Sequence, residues 1–219
     1  MLPPADEVQL WALDLTRSPG EVGGLLPSED LRRAEQRGPR WLVARAGLRL
    51  LLARYLGGDP AALRFDERAK PRLDPPSPLR FNLSHSGDVG LVAVATEREV
   101  GVDVEEVRRR RDVDALARRT MLSSERAAID EADDHHVAFH RHWVAKEAFA
   151  KATGRGIANP RSFELQLDGP GGARLVHVGG DEAEARRWQL HMLDVAEPYV
   201  AALVTEGDAR VAPLRVLEP

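Results

Sequence analysis

Between Leu79 and Val104 the chain sets three strand-length apolar runs one after another: Leu79 to Ser84, Val89 to Ala95 and Val100 to Val104. Ser86-Gly87-Asp88 separates the first two and is hairpin chemistry, while the charged turn Thr96 to Glu99 separates the second from the third. The middle run, VGLVAVA, is apolar on both faces, which predicts a central strand. Such a block demands a sheet.

Helical patterns flank that block on both sides. Upstream, Val8 to Leu15 alternates like a half-buried strand and ends at the Ser18-Pro19-Gly20 turn. Ser28, ahead of Glu29, Asp30 and Leu31, reads as a helix N-cap. From Arg40 the positions Trp41, Leu42, Ala44, Leu48, Leu51, Leu52 and Tyr55 repeat at helical spacing until Gly57-Gly58. That predicts an amphipathic helix with Arg40, Arg45, Arg49 and Arg54 along its polar edges. Asp66 to Pro78, rich in proline and charge, reads as a loop carrying Lys70-Pro71. Downstream, Ser123-Ser124-Glu125 reads as a cap, and a second long helix runs from about Val137 to Thr153, where Gly154 stops it. Ser162 to Leu167, Leu175 to Val178, Arg187 to Leu193 and Tyr199 to Val204 are candidate strands. The fold class is therefore α+β, in two halves, 1–99 and 100–219, with no residue-level repeat between them.

Composition narrows the class. At 219 residues, 43% hydrophobic and 30% charged, with a net charge of -4, the chain can bury a core and fold alone. With no cysteine, covalent or metal chemistry falls to His, carboxylates or hydroxyls. The opening MLPPADEVQLWALDL lacks the basic start of a secretory signal, and no run approaches a membrane span, so a cytoplasmic protein without a membrane partner is expected. Negative net charge and 5% aromatic content speak against a nucleic-acid binder. Of 31 basic residues only Lys70, Lys146 and Lys151 are lysine, a skew that points to GC-rich coding or to sites needing a compact ammonium.

Asp103 and Glu105 stand two apart at the end of a predicted strand, on one face. The pair reads either as a solvated strand face or as oxygen ligands of a hard cation such as Mg²⁺. Trp143, Glu147 and Lys151 share a helix face at intervals of four, as a surface ion pair or as a carboxylate beside the same cation with an ammonium one turn on. Ser84 and His85 lie at a hairpin end, pointing to opposite faces, so they are no nucleophilic dyad. His135, His136, His140 and His142 lack the HExxH pattern.

FNLSHS, then GVDVE, then WVAKEAFAK running into GRG, resembles the signature of 4′-phosphopantetheinyl transferases of the surfactin-synthetase type. The resemblance spans residues about 28 to 157. It implies two similar α+β halves about a pseudo-twofold, with the site at their junction, in a functional monomer. It also implies transfer of phosphopantetheine from coenzyme A to a serine of an apo acyl or peptidyl carrier protein, with release of adenosine 3′,5′-bisphosphate. Asp103, Glu105 and Glu147 match the metal-binding acids that would hold Mg²⁺, or Mn²⁺, against the pyrophosphate, and Glu147 the base for the serine. Lys151 matches the lysine at the leaving phosphate, and Lys146 is assigned to the same region. Arg40 and Arg45, with Arg33 weaker, match a basic helix at the 3′-phosphate, Ser84 and His85 the coenzyme A phosphates, and Lys70-Pro71 the loop beside adenine. Ala69 stands where the family has glycine. Arg108 to Arg111, beside Leu116, Met121 and Leu122, form a candidate docking surface for an acidic carrier. The alternatives are a Mg²⁺-dependent nucleotide phosphohydrolase and a non-catalytic carrier-binding relative.

Overall fold

The computed structural model describes residues 1–66, 70–110, 112–169 and 172–218. Two compact units divide the chain: unit 1 comprises Met1–Arg98 and the segment from Arg210 onward, unit 2 Glu99–Ala209.

In unit 1, β1 (Glu7–Asp14) is followed by the short α1 (Pro19–Val22), α2 (Ser28–Arg37) and α3 (Pro39–Leu56). Then come β2 (Arg64–Asp66), β3 (Arg72–Asp74), β4 (Leu79–Ser86) and β5 (Val89–Thr96). β5 lies between β1 and β4 and is antiparallel to both, the central position its two apolar faces require. Proline fixes the start of α3, and Gly57, at φ 74°, ends it in the left-handed region that glycine tolerates. Leu48, Leu51 and Leu52 pack with Leu13, Leu15, Phe81, Val92 and Val94 into the core of this unit.

Unit 2 opens with β6 (Val100–Glu106), then α4 (Val113–Thr120), α5 (Ser123–Asp130) and α6 (His135–Thr153). β7 (Phe163–Asp168) pairs with β8 (Gly172–Val178), and after α7 (Glu182–Ala185) come β9 (Trp188–Leu193) and β10 (Tyr199–Glu206). The sheet order is β6-β10-β9, all antiparallel. Ala145, Ala148, Phe149 and Ala152 of α6 pack with Phe163, Leu190, Ala202 and Val204. Apart from the one-turn α7, the order strand, helices, two-stranded pair, two further strands is therefore the same in both units, although no residue-level repeat announces it.

The structure corrects several expectations. From Arg210 the chain returns to unit 1, where β11 (Arg210–Val211) and β12 (Arg215–Val216) pair in parallel with β1, so the second half does not extend to 219. Asp66 to Pro78 is not all loop, because β2 and β3 form an antiparallel pair within it. Ser28 is the first helical residue of α2, and the cap position ahead of it is Pro27, which makes no side-chain cap bond. α6 begins two residues before Val137, because the Asp134 carboxylate accepts the N–H groups of His136 and Val137. Arg45 and Arg49 do not line a polar edge of α3: both are buried, held by Asp30 of α2 at 3.0 and 2.6 Å.

Candidate active site

The acids and Lys151 singled out by sequence all belong to unit 2, where β6 and α6 bring them together. Gly101, Asp103 and Glu105 share one face of β6, and Gly101 is where the helix comes down on the strand. A Cβ at Gly101 would stand 2.1 Å from the Ala148 carbonyl oxygen and 2.3 Å from the Ala152 nitrogen. Only glycine permits that approach. Glu147 and Lys151 each precede one of those contact residues on α6, so both side chains emerge beside Asp103.

Asp103 is almost fully buried and accepts a 2.7 Å bond from the Lys151 ammonium, which is itself partly exposed. Burial pushes the Glu147 carboxyl above its ordinary range; the negative charge of Asp103 and, less, Glu105 adds to this, while Lys151 opposes it. Asp103 and Glu105 thus both repel Glu147, beside the Lys151 ammonium. Among the described residues no three carboxylate, imidazole or thiol side chains stand ready as a metal cage. The donor set nevertheless suits a hard divalent cation, because it offers carboxylate oxygens alone and its mutual repulsion is the kind such an ion relieves. Asp103 now engages Lys151.

Lys146 departs from its expected role. It is fully buried, and its three donors are all spent inside unit 2: on Glu125 at 2.8 Å, on the Pro160 carbonyl at 2.8 Å and on the Phe163 carbonyl at 3.0 Å. None remains for a phosphate. Its partner Glu125, at the start of α5, was not singled out from sequence as a functional residue; the signal available was a carboxylate behind a helix start. The histidines are likewise internal to the helix: Nδ1 of His140 and of His142 face the carbonyls of His136 and Ala138 at 2.6 and 2.8 Å.

The remaining candidates lie in unit 1. Ser84 is buried and His85 exposed, opposite Leu91 and Gly90 at the hairpin end of β4 and β5, so they do face opposite ways. Arg40 is exposed and binds Asp88 at 2.5 Å. Arg45, whose guanidinium burial pulls below its ordinary value against the pull of Asp30, lines a cavity of about 520 Å³ with Arg33, Arg49, Arg64 and Phe65. Lys70 and Pro71 are half-buried just before β3, while Ala69 lies outside the described residues. In the basic turn, Arg108 pairs with Glu106 at 3.5 Å and Arg109 with Asp134 at 2.7 Å; Arg111 also lies outside the described residues.

Residues 99–204, which span nearly all of unit 2, match the 4′-phosphopantetheinyl transferase superfamily. Over 93% of its length the chain is 34% identical to the 4′-phosphopantetheinyl transferase HetI of Nostoc sp., covering 89% of that protein. The chain belongs to the 4′-phosphopantetheinyl transferase superfamily. It is also 30% identical to the phosphopantetheinyl transferase of Thraustochytrium sp. over 94% of its own length and 83% of that protein. Among solved structures it resembles the holo-[acyl-carrier-protein] synthase of Thermotoga maritima, with 24% identity and a TM-score of 0.42 over 51% of this chain and 64% of that one. By its likeness to those transferases the chain is a phosphopantetheinyl-transferring enzyme, and no helix among its described residues is long and apolar enough to cross a membrane.

Proposed function

We propose that the enzyme is of the surfactin-synthetase type and takes phosphopantetheine from coenzyme A, placing it on a serine of an apo acyl or peptidyl carrier domain and releasing adenosine 3′,5′-bisphosphate. The observation that carries this reading is the convergence of Asp103, Glu105, Glu147 and Lys151 in unit 2. Attack on one phosphorus of a pyrophosphate concentrates charge on its oxygens, and catalysis consists largely of neutralising that charge and holding the nucleophile in line.

Asp103, Glu105 and Glu147 would hold Mg²⁺, or Mn²⁺ in its place, and the ion supplies charge neutralisation at the pyrophosphate. Glu147, beside Asp103 on the same face of the site, is assigned as the base that takes the serine proton directly or through a water. Lys151, one helical turn beyond Glu147 and now donating to Asp103, would meet the departing phosphate. In unit 1, Arg40 and Arg45 are assigned to the 3′-phosphate, Ser84 and His85 to the coenzyme phosphates, and Lys70-Pro71 to the adenine. A cytoplasmic monomer belongs to the same reading.

Incubation of the protein with coenzyme A, Mg²⁺ and an apo carrier, followed by intact-mass measurement, is the direct test. The carrier gains the mass of one phosphopantetheine group. An unchanged carrier alongside cleaved coenzyme A would instead make the protein a phosphohydrolase, and an unchanged carrier with intact coenzyme A a binding relative.

A further inference from the structure

We infer that the buried pair Glu125–Lys146 is a positioning device that fixes the rotation of α6 and thereby aims Glu147 and Lys151. Lys146 immediately precedes Glu147, so on a helix of 3.6 residues per turn their side chains leave about 100° apart. One points into the body of unit 2 and the other toward β6.

The pair is a hub of directional bonds. The Glu125 carboxylate accepts from the Leu122 N–H at 2.8 Å, from the Leu165 N–H at 3.1 Å and from Lys146 at 2.8 Å. It therefore joins the start of α5 to β7 and to α6. Lys146 spends its other two protons on the Pro160 and Phe163 carbonyls, in the segment leading into β7, and its ammonium lies 4.5 Å from the centre of the Phe163 ring. Both side chains are wholly buried. A turn of α6 about its axis would draw Lys146 away from Glu125 and from both carbonyls at once, so these bonds together favour one setting of the helix.

Packing alone does not need this arrangement. A buried ion pair is often replaceable by apolar residues of similar volume without loss of stability, so its distinguishing property is orientation. The demand for orientation is acute here, since a misplacement of about 1 Å among reacting groups can cost a hundredfold in rate. Glu125 and Lys146 do not touch the reacting atoms; they act through Glu147 and Lys151.

The proposal rests on the transferase reading, and its test keeps the two apart. Glu125→Gln, Lys146→Met and the double variant are compared with wild type in the carrier assay, at a temperature where circular dichroism shows each to be fully folded. Wild type must first load the carrier; if it does not, the reading above fails. Given loading, each single variant should lose kcat tenfold or more while KM for coenzyme A and for the carrier stays within threefold. The double variant should be no slower than the worse single, because the residues act as one unit. A kcat loss below tenfold, or a loss expressed as a raised KM for coenzyme A, overturns the positioning role; the second result would make Lys146 a coenzyme ligand. Glu125→Gln preserves shape and carries the test alone if Lys146→Met does not fold.

Discussion

The two units solve the same construction problem with different chemistry. In each, an acid from the preceding helix meets a cation on the long helix, and that cation also donates to two carbonyls of the segment that follows and lies against a phenyl ring. In unit 1 these are Asp30, Arg49, the Pro60 and Leu63 carbonyls and Phe65; in unit 2 they are Glu125, Lys146, the Pro160 and Phe163 carbonyls and Phe163. Unit 1 adds a second cation, Arg45, on the same carboxylate oxygen, whereas unit 2 keeps one acid to one base. The helices also stand differently on their strands. The nearest atoms to a Cβ on Gly47 of α3 would be those of the Leu13 side chain, from 3.0 Å, whereas one on Gly101 of β6 would strike the backbone of α6. Unit 1 interposes a side chain; unit 2 brings backbone against backbone. The closer approach is what places two α6 side chains beside Asp103.

The largest contrast should appear when the cations are removed. Lys146→Met leaves Glu125 buried without its cation and should destabilise the protein by about 3–5 kcal/mol. Arg49→Met should cost about 1–3 kcal/mol, because Asp30 retains Arg45 while the bonds to the Pro60 and Leu63 carbonyls are lost. Urea unfolding of both variants measures this, and equal losses would refute the distinction between redundant and single pairing.

Next come the glycines. Gly101→Ala forces α6 off β6 and should lower stability by about 1–3 kcal/mol or more, with loss of transfer, as overpacking does. Gly47→Ala asks only that a flexible leucine yield and should change stability by less than about 1 kcal/mol. Thermal midpoints and transfer rates of the two variants settle the order.

The smallest effect concerns Glu147. Its carboxyl has a higher pKa folded than unfolded, so the folded state binds the proton more tightly and stability falls as pH rises through that window. In metal-free solution at pH 7 the ionised group is a net penalty, which Glu147→Gln relieves. The variant should therefore melt higher than wild type at neutral pH, and the gap should close as pH falls below the unfolded value of about 4.3. An equal or lower midpoint at neutral pH would show that the site does not strain this carboxylate.

Periodicity made the long helices and the hairpin legible, because α3, α6, β4 and β5 bury enough regularly spaced apolar surface to mark themselves. The acids of GVDVE and the glutamate of WVAKEAFAK were legible as motifs, and spacing alone placed Asp103 and Glu105 on one face. What stayed hidden depended on partners distant in sequence. Nothing local to α3 says that Arg45 and Arg49 turn inward, since that requires Asp30 to meet them. Lys146 looked like its neighbour in function, yet the turn between adjacent helical residues sends it to Glu125 instead. β11 and β12 were illegible because two-residue strands carry no period; the β1 edge they join defines them.

On the proposed function, transfer depends on a divalent ion held by the carboxylates of unit 2. The most direct measurement is the initial rate of carrier loading against free Mg²⁺ for wild type and Asp103→Ala. Wild type should saturate with Mg²⁺ and fall to nothing in excess chelator, while Asp103→Ala should lose about a hundredfold or more at saturating Mg²⁺, a loss of the size seen on removing one charge-stabilising group. Undiminished loading by wild type in chelator, or a wild-type rate in the variant, would contradict it.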